Sequence, residues 1–498
     1  MSRTPPLPVL LLIGLTLTVA TERLDAQGWP GRGGLETEAC RPDAGASDPA
    51  AWLARARAAT GLATVAGERV QWHGHATDVQ YFQSDRPYPP YLHAVSEQEW
   101  TWDPGTGVER TERTGIATLT TDHATFFVRD TAVLPVPQAH AFYLPGRDLN
   151  PFAVLRRFAT GVSAVEGRCT FRGRPRVVLA HDGDRLYLDA VTAMPIKLDR
   201  VEPHPTWGQV HVEVVYTTWW RGDGVSVPLA TVRYVDGVEH LRRDVALPGR
   251  PGDVLIRRIP ADTMARPAVL AADHRGSPSM TDAAVPVDTV RVDDATFLLH
   301  TRMYTHAVTL QRDTVFLLDA TTAEWRARAD SAWIARLFPG EHPVVLVVTD
   351  LAWPHVGGVR FWAARGATLV SHQMSRPFLE QLLARRWTLA PDALELARRG
   401  GAAPPRLVTI DSTTMHAGGA VRLAPIDGGS SEGAVYAEVR PAGFLWAGDY
   451  IQDVSAPSQY AQDVLAAAAR DGATPRRTAA QHLPLTPWTT VREVNAAP

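Results

Sequence analysis

Metal and acid–base chemistry draws on histidine, aspartate and serine at fixed spacings, and several stretches of this chain offer them. The first is VVLVVTDLAWPHVGGVRFWAARGATLVSHQ, residues 344–373. It reads as a hydrophobic strand, a polar corner, a Gly357-Gly358 step and a helix, a layout in which many α/β enzymes present metal ligands. Yet the corner is built from Asp350, Ala352 and Pro354, where a metal corner should be crowded with imidazole and carboxylate. In QWHGHATD, His73 and His75 share one face of a strand. No third ligand accompanies them, and exposure is the expectation for both. Ser430-Ser431 is not placed in the strand-to-helix elbow that activates a serine, so serine esterase chemistry is not expected.

The elements that must position such residues come in two textures. A chain of 498 residues is long for one hydrophobic core, and 45% hydrophobic with 21% charged residues is ordinary globular material. Net charge of −3 gives no reason to expect nucleic acid or an anionic membrane as partner. Arg3 precedes the apolar run Val9 to Ala20, too short for the roughly 20 residues a spanning helix needs. Residues 1–26 therefore read as a signal peptide, with Ala20 or Ala26 before the cleavage site. The protein is expected to be exported, periplasmic or secreted, with no stable membrane span after cleavage. Export would let Cys40 and Cys169 pair, closing a loop worth roughly 4 to 5 kcal/mol by chain entropy; two separate buried thiols are the alternative.

Residues 27–265 read as a β-rich domain, with a linker at 266–285 and a second domain at 286–498. Ser47 would cap a first helix that Gly61 stops, and Asn150 to Gly161 forms another. From about Val65 to Val245 the chain is mostly strands, and period-two stretches separated by Gly183, RGDG at 221–224 and Asp236-Gly237 announce antiparallel hairpins. The aromatic stretches EQEWTW and VVYTTWW would form either the apolar face of a curved sheet or a ligand groove. After the linker, strands alternate with helices at TAEWRARADSAWIARLF, VGGVRFWAARG and RPFLEQLLARR. The fold class is α+β.

The second half resembles the metallo-β-lactamase fold family. The signs come in order: VFLLDA at 315–320, VVTD with HVGG at 347–358, GATLVSH at 366–372, GSSEG at 429–433, FLWAGD at 444–449 and QHLPLTPW at 481–488. The resemblance implies an αβ/βα sandwich holding one or two metal ions, commonly zinc, that activate water to hydrolyse esters, thioesters, lactams or phosphoesters. The family's corner runs His, any, His, any, Asp, His; here it reads Asp350, Leu351, Ala352, Trp353, Pro354, His355. Ser430 stands where the middle histidine belongs. Asp449 matches the bridging carboxylate and His482 the last histidine of the second site. His372 is not counted as a ligand. The run from LYLDAV through RYVDG in the first half is faintly like lipoprotein-carrier half-barrels.

Carried over residue by residue, the dinuclear site is lost. The first metal position lacks its ligands, while His355, Asp449 and His482 would make a single site for one zinc. Asp350 would be a fourth ligand or a base on water. Two functions follow. The favoured one is a non-catalytic ligand-binding or scaffold protein of hydrolase ancestry, whose small-molecule ligand is unknown, with no metal if the site is retired. The alternative is a residual mononuclear hydrolase acting on an ester, thioester or lactam.

Overall fold

The computed structural model describes residues 48–65, 67–79, 93–105, 107–120, 125–129, 133–136, 149–161, 164–171, 174–204, 206–245, 256–260, 287–301, 304–428 and 433–496. The proposed signal peptide, Ser47, Cys40, the linker at 266–285 and Ser430 lie outside them. Cys169 is buried and disulfide-bonded. Among the described residues no helix is long and apolar enough to cross a membrane.

The first half is one antiparallel sheet. Its central strand, Glu68–Val79, pairs with His93–Asp103 on one side. On the other it pairs with Val238–Val245 and then Ile256–Pro260. From Ala164–Phe171 to Val238–Val245 the chain runs as a meander of sequential neighbours. The hairpin signals act as expected. Asp182-Gly183, Asp223-Gly224 and Asp236-Gly237 all have positive φ at both residues, the conformation of a type I′ turn matched to sheet twist. Helix Pro49–Ala59 is capped by Asp48, whose carboxylate accepts from Ala50 N (2.9 Å), rather than by Ser47. Helix Pro151–Ala159 is capped by Asn150 and buries Phe152, Val154, Leu155 and Phe158 on the sheet. The tryptophans of EQEWTW, Trp100 and Trp102, are fully buried core. His73 and His75 are exposed.

The second half is an αβ/βα sandwich. One sheet orders Asp288–Arg291, Thr296–His300, Thr305–Gln311 and Thr314–Leu318 antiparallel, then Val344–Val347, Thr368–His372 and Arg406–Ile410 parallel. The other runs from Thr414–His416 through Val421–Pro425, Val435–Val439, Phe444–Trp446 and Arg477–Ala479 to Thr486–Pro487. Strand alternation assigns the layers. Phe316, Leu318, Val347 and Val370 face the second sheet's Val435, Ala437 and Trp446. Leu317, Leu346 and Leu369 point outward to the layer containing Val359, Phe361 and Leu379. Beyond the second sheet, Tyr436 and Leu445 pack on helices Gln459–Arg470 and Trp488–Asn495 through Val464, Ala467 and Val491.

The Gly357-Gly358 step has a steric cause. A Cβ on Gly357 would lie 2.1 Å from the carbonyl oxygen of Thr322 and 2.4 Å from its carbonyl carbon, both rigid backbone. Gly358 N donates to Ala320 O at 2.7 Å, closing the same contact. Overpacking of this kind costs about 3 kcal/mol. Gly357→Ala should lower the chemical-denaturation midpoint accordingly, and an unchanged midpoint would remove the close approach from the account.

The halves are joined by a buried hook. Arg385, just after helix Arg376–Ala384, donates to Trp207 O, to Gln209 O (2.9 Å) and to Asp236 Oδ2 (2.7 Å) in the first half. Trp207 also meets Phe378 edge-on at 5.1 Å.

Candidate functional site

The site lies where strand ends of both sheets meet. Asp319 ends the VFLLDA strand with φ of 68°, a conformation an L-residue holds only when its surroundings fix it. Those surroundings are hydrogen bonds. Thr349 N (2.9 Å), the Thr349 hydroxyl (2.9 and 2.8 Å), Trp446 Nε1 (2.8 Å) and Gln481 Nε2 (3.2 Å) all donate to its carboxylate. Asp319 thus ties four segments together in the buried floor of the site. Burial and the nearby Asp350 push its carboxyl up to about 6.

The corner itself runs from Thr349 into the short helix Trp353–Val356, with proline tolerated in its first turn. Asp350 is 1% exposed. Its Oδ1 accepts from Ala352 N at 2.9 Å and from His355 Nδ1 at 2.5 Å. The residue therefore sits behind the imidazole. Its Oδ2 lies 3.4 Å from the Thr349 hydroxyl, and the two bonds to Oδ1 give the residue the role of orienting His355. Ala352 offers no donor atom, and the Pro354 side chain lies outside those described.

His355 is held by this pairing so that Nε2 faces Asp449 Oδ2, 4.0 Å away. Burial opposes its charge, but Asp350, through charge and hydrogen bond, and then Asp449 and Asp319 raise it to about 9. Asp449 follows Gly448, whose φ of 60° and close approach to Thr349 Oγ1 turn the chain at the strand end. Its Oδ2 accepts from Gln452 Nε2 at 3.0 Å. Its Oδ1 is buried and receives no hydrogen bond among the described residues; His482 Nε2 lies 3.6 Å from it. Burial raises the Asp449 carboxyl, against the pull of His355 and His482. The Tyr304 ring packs against both histidines, 6.0 Å from His355 and 5.0 Å from His482.

The structure thus brings His355, Asp449, His482 and Asp350 together. It keeps His372 apart as a turn cap whose Nδ1 accepts from Met374 N at 3.2 Å. Sequence reasoning did not single out Asp319, Tyr304 or His306. Asp319 was visible only as the last carboxylate of VFLLDA. His306 accepts from Thr321 N at 2.8 Å and lies 2.8 Å from Asp330, which pairs with Arg326. Arg326 in turn donates to Tyr304 O at 3.3 Å, fixing the Tyr304 segment from behind.

Fitness for metal divides by position. Among the described residues no group of three His, Cys, Asp or Glu is gathered closely enough to count as a metal-ion site. At the head of the corner, Asp350 Oδ1 is engaged by Ala352 N and His355 Nδ1, and Ala352 carries no side-chain donor atom. Deeper in the site, His355, Asp449 and His482 supply suitable donor types, two imidazoles and a carboxylate whose Oδ1 receives no hydrogen bond among the described residues. The carboxylate on His355 Nδ1 is the usual support of a ligating imidazole. His355, Asp449 and His482 are donors of the kind one ion would use.

No family sequence model matches the chain, and no curated protein matches it in sequence. Solved structures that it is similar to include the DIM-1 metallo-β-lactamase, at 11% identity over 43% of this chain and 97% of that one, TM-score 0.33. A metallo-β-lactamase from Erythrobacter litoralis gives 18% identity over 42% and 95% of the two chains, TM-score 0.33. FIM-1 from Pseudomonas aeruginosa, in its mono-zinc form, gives 13% over 43% and 96%, TM-score 0.33. These likenesses carry no weight for activity or ligand. The αβ/βα sandwich is read from the strand order, register and layers of residues 287–496.

Proposed function

We propose that the second domain is a binding domain of hydrolase descent, which has lost two-metal chemistry and keeps its pocket to hold a small molecule without turning it over. The observation that carries this reading is Asp350. The carboxylate at the head of the corner is buried, and its Oδ1 accepts from both Ala352 N and His355 Nδ1, which supports a role in orienting the imidazole over one as general base. The near-neutral net charge speaks for a small-molecule ligand rather than nucleic acid. The leader-like residues 1–26 support export to the periplasm or beyond.

A second reading, a single-ion hydrolase, is favoured by one feature: the unpartnered Asp449 Oδ1 with two imidazole nitrogens facing the carboxylate. His355, Asp449 and His482 would hold the ion, and an ion bound there supplies Lewis-acid activation of water. In that case Asp350 holds the proton on His355 Nδ1 and keeps Nε2 available, and Tyr304 packs against both rings.

Hydrolysis of an aryl ester, a thioester and a β-lactam by the zinc-loaded full chain separates the two. The binding reading expects no turnover above buffer. Turnover that disappears in both His355→Ala and Asp449→Asn would replace it with the second.

A further inference from the structure

We infer that the junction between the two halves is a pH-sensitive latch: the His211 imidazolium, paired with Asp199, pins the strand start that receives Arg385, and loss of its proton loosens the grip. Trp207 to His211 lead into strand Gly208–Gly222. Within this segment Arg385 takes the carbonyls of Trp207 and Gln209, and beyond it Asp236 Oδ2. Asp236 is itself tied to the His211 backbone twice. His211 N donates to Asp236 Oδ1 at 2.9 Å, and Asp236 N donates to His211 O at 2.8 Å. Of residues 207–211, His211 has the sole titratable side chain, so a proton reaches the hook's acceptors through it.

The imidazole Nε2 meets Asp199 Oδ1 on strand Pro195–His204, with the two side chains 43% and 15% exposed. Solvent therefore reaches the ring while the carboxylate is shielded. Asp199 Oδ2 lies 3.5 Å from Lys197 Nζ, but that buried ammonium is held closer to Glu213 Oε1, at 2.7 Å. Arg185, opposite Asp199 on the next strand, pairs with Glu166. With His211 charged, the row Glu213, Lys197, Asp199, His211 holds two charges of each sign. Without that proton a shielded negative charge is left over. The hydrogen bond to Asp199 raises His211 above its ordinary 6.5, against partial burial and with the charges of Asp199 and Glu213. Opening frees the ring, so the closed latch keeps a proton that the open one lacks; the grip is fully present below pH 6.5 and fades as pH rises through the raised value. The junction's other histidine works in the opposite form. His204 Nδ1 accepts from Thr206 N and Trp207 N, both at 3.1 Å. Burial, and then Arg385, His240 and Arg233, hold it well below 6.5, so it stays neutral where His211 titrates.

The test is hydrogen–deuterium exchange of the full chain across about pH 6 to 8, corrected for the intrinsic rate and read on peptides from both sides of the junction. Protection of residues 206–211 should fall by up to about tenfold per pH unit above 6.5. Residues 385–388 of the second half should follow it, since the Arg385 and Trp387 amides, bonded to Gln381 O and Glu395 Oε2, lie beside the hook. His211→Gln keeps a neutral donor toward Asp199 and should make both segments independent of pH, whereas His355→Gln should leave their pH dependence in place. The comparison of the two segments in the unmodified chain stands whether or not either variant folds. Level protection of 206–211 in the unmodified chain, a 385–388 segment that does not follow it, or a pH dependence that survives His211→Gln would each overturn the inference.

Discussion

Arg385→Ala should weaken the junction of the two halves by about 3–5 kcal/mol, the cost of breaking a buried ion pair on one side only. The Arg385 and Asp236 side chains are 1% and 4% exposed. Removing the guanidinium leaves the Asp236 carboxylate with an uncompensated charge, although Oδ1 still accepts from His211 N at 2.9 Å. It also removes one donor from each of the carbonyls of Trp207 and Gln209. In urea unfolding the expected result is an earlier transition that splits into two, one for each half. Asp236→Asn should cost less, because an amide oxygen still accepts from the arginine. A single transition at the wild-type midpoint in Arg385→Ala would mean that the hook does not couple the halves.

The second large effect is on pH dependence. His355 titrates at about 9 in the fold against 6.5 when unfolded. A raised folded value favours the protonated native state, so this stability is fully present below pH 6.5 and is lost as pH rises through about 9. Its size is about 3 kcal/mol. Asp319, pushed up to about 6 from 3.8, acts with the same sign at lower pH, its contribution fading between those values. In chelator-containing buffer, denaturation midpoints should fall between pH 6.5 and 9, and His355→Gln should flatten that slope. A wild-type profile level across this window would show that Asp350 and Asp449 do not hold the imidazolium. The same titration sets ion binding: Nε2 must lose its proton first, so any zinc affinity should climb with pH.

Much of this architecture was legible because it rests on local rules. The Asp-Gly turns, the Asn150 cap and the switch from period-two stretches to strand–helix alternation follow from backbone preference and burial pattern. The helix Gln459–Arg470 escaped because QYAQDVLAAAAR buries mainly alanine and one valine, a weak apolar stripe. The site was legible as an ordered set of motifs, which brought His355, Asp449 and His482 to one place. The roles were harder. Asp350 looked like a replaced ligand, and only the fold turns it onto His355, five residues later. Asp319 depends on donors from Thr349, Trp446 and Gln481, up to 162 residues away in sequence, a convergence that no window of sequence displays. Arg385 and Asp236 likewise meet across 149 residues.

The proposed binding role implies that the site holds no more than one metal ion. Its most direct test is elemental analysis of the purified chain after dialysis against metal-free buffer and reloading with zinc. The account predicts at most one zinc per chain: none for a retired pocket, or one, lost in His355→Ala, for the single site. Two tightly held ions per chain would contradict it, since the corner of Asp350, Ala352 and Pro354 would then be completing a first metal site after all.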